Sequence, residues 1–246
     1  MSHLLRSRPI TTALVLGALL ASSVSRAFAA GTSPPATGPV RPERVVAALE
    51  KYIKTKFEEP RNLKIKLALF DDPQRLQRGH FREVAITTDS ALFDGIAMED
   101  LLLSAKDVMI DLPALFSRNH LETTQREHGI IRATVTEAHL NKAFQSVKMP
   151  IHDFQMSFVE NGVVATGTYK FIVGNRLQMH ATLEPKPDGI WFLCQRASVN
   201  GLALPSGQVR ALLNKMNPII DFTKLPFSPK VRKIAIDGEK KVLSIT

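Results

Sequence analysis

The sequence is short of the residues that cross-link, coordinate or react. A single cysteine, Cys194, stands in 246 residues, which excludes an intramolecular disulfide and a multi-thiolate metal site. There is no G-x-S-x-G elbow, no phosphate-binding glycine loop, no H-E-x-x-H pair and no clustered Cys/His set. The longest apolar run near the start, Ala13–Ala21, is far below the roughly 20 residues that span a bilayer. Acidic residues are outnumbered, 23 Asp+Glu against 32 Lys+Arg, for a formal charge of +9 and a pI near 9.8. Such a balance ordinarily points to nucleic acid, an anionic membrane surface or an acidic polymer.

The first thirty residues change that charge argument. Arg6 and Arg8 precede the apolar run, and a Ser-rich stretch leads to Ala27-Phe28-Ala29. A basic end, a short apolar core and small residues at alternate positions are the pattern of a secretory signal peptide, here residues 1–29, with cleavage expected after Ala29. A retained helical anchor is the competing reading of the same run. Cleavage removes Arg6, Arg8 and Arg26 with no acid, leaving about +6 on the mature chain. An exported protein does not meet the chromosome, so nucleic acid drops out as an expected partner and an anionic membrane surface remains. The expected location is the periplasm or the extracellular space, with the protein soluble after cleavage.

Residues 30–40, rich in Gly, Ser, Thr and Pro, read as a flexible spacer, and 41–246 as one domain. From Pro42, the residues Val45, Val46, Leu49, Tyr52, Ile53 and Phe57 recur at helical spacing until Glu59-Pro60. Leu63, Ile65, Leu67 and Leu69 then alternate with polar neighbours as a strand with one wet face. Less regular strand runs occupy 80–88 and 96–111. Four runs near 152–159, 163–173, 176–184 and 190–199 are separated by Asn161-Gly162, Gly174-Asn175 and Pro187-Asp188-Gly189, which predicts an antiparallel meander. The last run is apolar on both sides, with Ala197 and Val199 on the side of Trp191, and is expected to be covered on both.

Two further helices are expected. Thr134 and Glu137 have capping-box spacing before Ala138, Leu140 and Phe144. Ser206 reads as the N-cap of a helix whose stripe is Val209, Leu212, Leu213, Met216 and Ile220, ended or kinked by Pro218. The chain closes with a hairpin, 231–236 and 241–246, turned by Asp237-Gly238. The predicted class is α+β, a curved antiparallel sheet wrapped around amphipathic helices.

Catalytic candidates are few. Of the six histidines left after processing (His80, His120, His128, His139, His152 and His180), no two have i, i+4 or H-x-H spacing. Asp71-Asp72 and Glu99-Asp100 are adjacent carboxylates, but a glycosidase needs two carboxyls across a cleft, and Asp71-Asp72-Pro73 reads as a turn. Cys194 beside Trp191 and Phe192 behaves as a small hydrophobe. No catalytic residue, metal or cofactor is assigned, and the chain is expected not to be an enzyme. What remains is apolar surface: 13 phenylalanines and seven methionines either fill a core or line a cavity.

Two segments carry a resemblance. Val135-Thr136-Glu137-Ala138-His139-Leu140-Asn141-Lys142-Ala143-Phe144 reads as strand residue, cap and Leu-Asn helix start. Leu225-Pro226-Phe227 is followed by Val231–Ile236, Asp237-Gly238 and a last strand. With the helix ending in Asn217-Pro218 before them, these segments resemble the LmeA-like phospholipid-binding family of bacterial envelope proteins, over roughly 90–246. The resemblance implies an exported, non-enzymatic phospholipid binder of tubular lipid-binding-like architecture, possessing an apolar groove or tunnel for acyl chains. Candidate lining residues are Val46, Leu49 and Ile53 on the first helix and Leu213, Met216 and Ile220 on the later one, with plain core as their alternative role. An envelope interaction or scaffold domain with a filled core is the alternative from another class, and an enzyme acting on cell-wall polymer or lipid-linked sugar comes third.

Overall fold

The computed structural model describes residues 38–125, 129–160, 162–169 and 175–246. The expected signal peptide, nearly all of the spacer, His128, the turn residues Asn161 and Gly174, and the end of the 163–173 run lie outside the described residues. The spacer's last residue is fixed: the Gln77 side-chain amide accepts from the Val40 N–H at 2.8 Å and donates to its carbonyl at 3.1 Å.

Pro42 presets the first turn of α1 (Pro42–Lys56), which buries Val45, Leu49, Tyr52 and Ile53 and leaves Lys54 to pair with Glu50 at 2.6 Å. It packs on β1 (Glu58–Arg61) and β2 (Lys64–Ala68), where Lys64 and Lys66 are exposed and Ile65 and Leu67 half-buried. Asp71-Asp72-Pro73 is more than a turn, because the Asp72 carboxylate caps α2 (Pro73–Gln77) by accepting from the Gln74 N–H at 2.9 Å. Two long strands follow, β3 (His80–Phe93) and β4 (Ile96–Ile110), joined at Phe93↔Ile96 by Asp94 and Gly95, both at positive φ. This two-residue turn makes the hairpin longer than the sequence pattern suggested. Next come α3 (Leu112–Arg118), β5 (Thr123–Gln125) and β6 (Ile130–Thr136). β1 and β2 share one edge of β3, and the first sheet continues β3-β4-β6 and on to the closing hairpin.

The helix after β6, α4 (Glu137–Gln145), starts differently from the expected capping box. Its cap is Thr136, whose hydroxyl accepts from the His139 N–H at 3.1 Å, while Thr134 lies within β6. Glu137 is taken by another partner: its Oε2 accepts from the Phe158 N–H at 2.6 Å.

The second sheet is the expected meander, β7 (Ile151–Val159), β8 (Gly162–Tyr169), β9 (Arg176–Lys186) and β10 (Gly189–Val199), curled into a half-barrel. Leu177, Met179, Ala181 and Leu183 of β9 point inward, and Arg176, Gln178, His180 and Glu184 are exposed. β10 corrects the sequence reading. The register is Cys194↔Ala181 and then Arg196↔His180, so Gln195 is an extra residue in a bulge. The bulge moves Ala197 and Val199 onto the inward side with Phe192, opposite Met179 and Leu177. The outward side is only partly covered: Trp191 and Leu193 are half-buried, and Trp191 is held by Lys186 4.2 Å over its ring and by Asp188, which accepts from its Nε1 at 2.9 Å.

The free side of β10 is finished piecemeal. At one end β11 (Leu202–Ala203) pairs back through the Asn200-Gly201 turn, and at the other β12 (Ile220–Asp221) pairs Ile220 with Ile190. Gly189 is required there, since a Cβ would stand 2.1 Å from the Ile220 carbonyl oxygen. Between the two lies α5 (Ser206–Met216), whose cap position is Pro205 with no side-chain hydrogen bond, so Ser206 is the first helical residue rather than the cap. The helix stops before Asn217-Pro218, so Ile220 belongs to β12 and not to the helical stripe. The chain ends in β13 (Ile234–Asp237) and β14 (Val242–Ile245), with β14 paired to β6 and the Asp237 carboxylate accepting from the Glu239 and Lys240 N–H groups.

Two asparagines close the edges of the half-barrel. Asn141 of α4 accepts from the Met156 N–H at 2.6 Å and donates to its carbonyl at 2.8 Å. Asn217 does the same for Phe192, at 2.7 and 2.9 Å. Each amide stands in for one residue of a missing strand. Losing one leaves a part-buried N–H and C=O unpaired, at about 1–3 kcal/mol. Asn141→Ala and Asn217→Ala should therefore each lower the unfolding free energy by about 2 kcal/mol in urea titrations. Ser117→Ala, which removes an exposed hydroxyl bonded to the Pro113 carbonyl, should cost under about 0.5 kcal/mol.

Candidate functional site

The inward side chains of β7 to β10 decide whether the half-barrel is hollow. Ile151, Phe154, Met156, Phe158, Val163, Ala165, Leu177, Met179, Ala181, Leu183, Ile190, Phe192 and Ala197 are all 0–8% exposed. Leu140 and Phe144 of α4, Leu212 and Met216 of α5, and Phe222, Leu225 and Phe227 of the segment after α5 are buried with them in one apolar cluster. The interior is filled by side chains, and the open space lies in clefts along its borders.

One cleft of about 500 Å³ lies between α5, β10 and β11. Its apolar wall is Cys194, Ala197, Leu204, Val209 and Leu213, and Arg196 and Arg210, both exposed, flank it. A second of about 640 Å³ runs along the α4–β7 connection, past Phe144, Val147, Met149 and Phe154, with Lys148, His152 and Asp153 also in its wall. A third of about 290 Å³ shares Phe144, Ser146 and Val147 with the second and reaches Met216, Ile219 and Asp94. Thus α5 has a cleft beside each of its halves.

The six residues picked from the sequence do not converge. Leu49 and Ile53 are buried and Val46 half-buried on α1, which packs on β1, β2 and α3, away from the second sheet's helices. Leu213 lies in the wall of the α5–β10 cleft and Met216 in that of the third. Ile220 is buried in β12. Cys194, Arg196 and Arg210 were not singled out as binding residues. Arg210 follows Val209 at the start of α5 and was readable from the helical pattern, whereas the place of Arg196 depends on the bulge, which leaves no mark in the composition. Leu202 is not among the sequence candidates either. It is 77% exposed, at the end of the Asn200-Gly201 turn beside the α5–β10 cleft.

The polar chemistry around these clefts is sparse. Among the described residues no three His, Cys, Asp or Glu side chains gather to hold a metal ion, and no helix is long and apolar enough to cross a membrane. Lys224 bridges to Asp94 at 2.7 Å, and that hydrogen bond holds its ammonium above the usual lysine range. His80 meets Asp107 at 2.6 Å across β3 and β4, far in sequence from either helix of the half-barrel. Asn217 turns the Phe192 N–H and C=O toward α5. Cys194, two residues on, stands in the wall of the α5–β10 cleft. Burial raises the Cys194 thiol above its ordinary range, partly offset by a hydrogen bond from the Arg196 N–H.

A protein-family model described as LmeA-like phospholipid-binding matches residues 43–244. Comparison with curated proteins and with solved structures gives no match.

Cys194 is a direct probe of the α5–β10 cleft, because no other thiol exists in the chain. With its pKa raised, the thiolate fraction is lower at every pH than for a free cysteine. Iodoacetamide alkylation of the native protein should rise with pH along a curve displaced to the alkaline side of the urea-unfolded chain's. Coincident curves for the native and unfolded protein would show that the thiol is fully solvated.

Proposed function

The chain belongs to the LmeA-like phospholipid-binding family, and from that premise we propose that it is an exported carrier that holds phospholipid acyl chains in the groove between α5 and β10. The observation that supports this groove over the others is its wall: Cys194, Ala197, Leu204, Val209 and Leu213 line one space of about 500 Å³, a volume in the ordinary range for small-molecule pockets. Each methylene withdrawn from water contributes about 0.8 kcal/mol, so holding part of one acyl chain is enough for useful affinity. Such binding needs no acid, base, metal or cofactor, and on this reading the protein is not an enzyme. The work would be envelope lipid transport or maintenance, in the periplasm or outside the cell, after removal of residues 1–29.

The proposed approach to the membrane is through Leu202. It is the most exposed large hydrophobic side chain among the described residues, on a two-residue hairpin beside the groove, with Arg176 bonded to Asn200 at the base of the same turn. One leucine entering the interface contributes about 1.5–3 kcal/mol, enough for a transient contact with an anionic surface but not a stable anchor. A second reading, an envelope scaffold with a filled core, draws on the buried interior of the half-barrel, where Leu177 and Met179 are 0% exposed.

Mass spectrometry of organic extracts from protein purified without detergent separates the two. The carrier reading expects phospholipid in near-stoichiometric amount, and a bare protein that also fails to bind a fluorescent acyl probe sinks it. Leu213→Glu should weaken the acyl probe by about tenfold or more through the cost of a carboxylate in the apolar wall, with circular dichroism unchanged. Leu202→Ser should reduce sedimentation with anionic vesicles by about tenfold and leave probe affinity intact.

A further inference from the structure

We propose that the α5–β10 groove selects phospholipids of net negative charge, with Arg196 and Arg210 holding the headgroup. This rests on the reading that the groove takes an acyl chain, and adds which headgroup sits above it. The four clefts differ in their charged residues. The one along α4–β7 has Asp153 beside Lys148, and the small one near Met216 has Asp94 beside Lys215. A fourth, of about 410 Å³ between α1 and α3, has Arg44, Lys51 and Arg118. There Arg44 is spent on the Phe116 ring at 4.4 Å and Arg118 on Glu122 at 3.3 Å.

The α5–β10 groove shares with the α1–α3 cleft a wall free of Asp and Glu, but it alone of the four sets two arginines beside Cys194, Ala197, Leu204, Val209 and Leu213. Neither Arg196 nor Arg210 forms an ion pair with a carboxylate among the described residues, and both are exposed. Two guanidinium forks beside an apolar strip suit an amphiphile whose polar end is a phosphate. A zwitterionic headgroup brings its own cation into the same space, which repels the arginines and cancels much of the attraction to the phosphate. A headgroup with a neutral alcohol on the phosphate does not. The two arginines together should give about tenfold preference or more.

The test uses Cys194 as the reporter and two soluble lipids below their micelle concentrations, dihexanoylphosphatidylglycerol and dihexanoylphosphatidylcholine. Protection of Cys194 from maleimide is expected at about tenfold lower concentration of the glycerol lipid. In the Arg196→Gln/Arg210→Gln protein the two lipids should protect equally, at the concentration the choline lipid needs in the parent. Arg82→Gln, which removes an exposed positive charge from β3, should leave the preference unchanged. Equal protection of the parent by both lipids overturns the selection and leaves acyl binding standing. A preference that survives the double substitution, or vanishes in Arg82→Gln, assigns it to overall charge and overturns the role of these two arginines. Protection by neither lipid, in a protein that still carries extracted phospholipid, places the lipid elsewhere and also overturns it. If no lipid is extracted either, the carrier reading falls with it.

Discussion

A half-barrel has two open edges, and the cost of leaving them open governs the rest of this structure. Every exposed edge residue presents an N–H and a C=O, and leaving a partly buried pair of them without partners costs about 1–3 kcal/mol. On β7 the edge is closed by α4 and the turn of the closing hairpin: Asn141 takes Met156, Glu137 takes the Phe158 N–H, and Lys241, just before β14, donates to the Phe158 carbonyl at 2.7 Å. On β10 it is closed by β12, Asn217 and β11 in turn. Helices are thereby fixed at both edges by side chains that imitate strands. Their positions follow from hydrogen bonding first and from apolar packing second.

The borders of the clefts are set by the same device. α5 is held at its C-terminal end, where Leu212 and Met216 are buried and Asn217 locks onto Phe192. At its N-terminal end there is no capping side chain, and Ser206, Gly207, Gln208 and Arg210 are exposed. The strand beneath changes character at the same level, since the Gln195 bulge separates the stretch paired through Asn217 and β12 from the stretch paired with β11. The groove lies where the edge is least completely covered. That coincidence explains why apolar side chains and two unpaired arginines share one small region.

Much of this was legible in the sequence, for reasons that also mark where legibility ends. The stripe of α1, the alternation of β2 and β9 and the turn at Pro187-Asp188-Gly189 are local patterns, and the structure has them. Asp94-Gly95 and Asn200-Gly201 are two-residue turns of the same local kind as Pro187-Asp188-Gly189. The nonlocal features are of another sort. Glu137 has capping-box spacing from Thr134, but the carboxylate bonds a residue 21 positions away. Ile220 continues the period of α5, but Pro218 ends the helix and β10 recruits the residue as a strand. The short Leu-Asn and Asn-Pro motifs were recognisable as marks of a family, while their physical role, an amide pairing with an edge strand, appears only when Met156 and Phe192 are placed beside them.

A filled half-barrel and a phospholipid ligand are compatible if the interior is asked to do less than enclose a chain. The strands cannot yield: Leu177, Met179 and Val163 are held in ladders on both sides, and moving any of them breaks backbone hydrogen bonds along with apolar contacts. The first half of α5 is covered least: between Ser206 and Arg210 only Val209 is half-buried, and the other residues are exposed. The other end of the helix is fixed by Asn217 on Phe192. On the proposed reading an acyl chain lies in the groove along this lightly covered end of α5. The core beneath it stays closed, which gives a carrier that needs no permanent tunnel and exposes little apolar surface when empty.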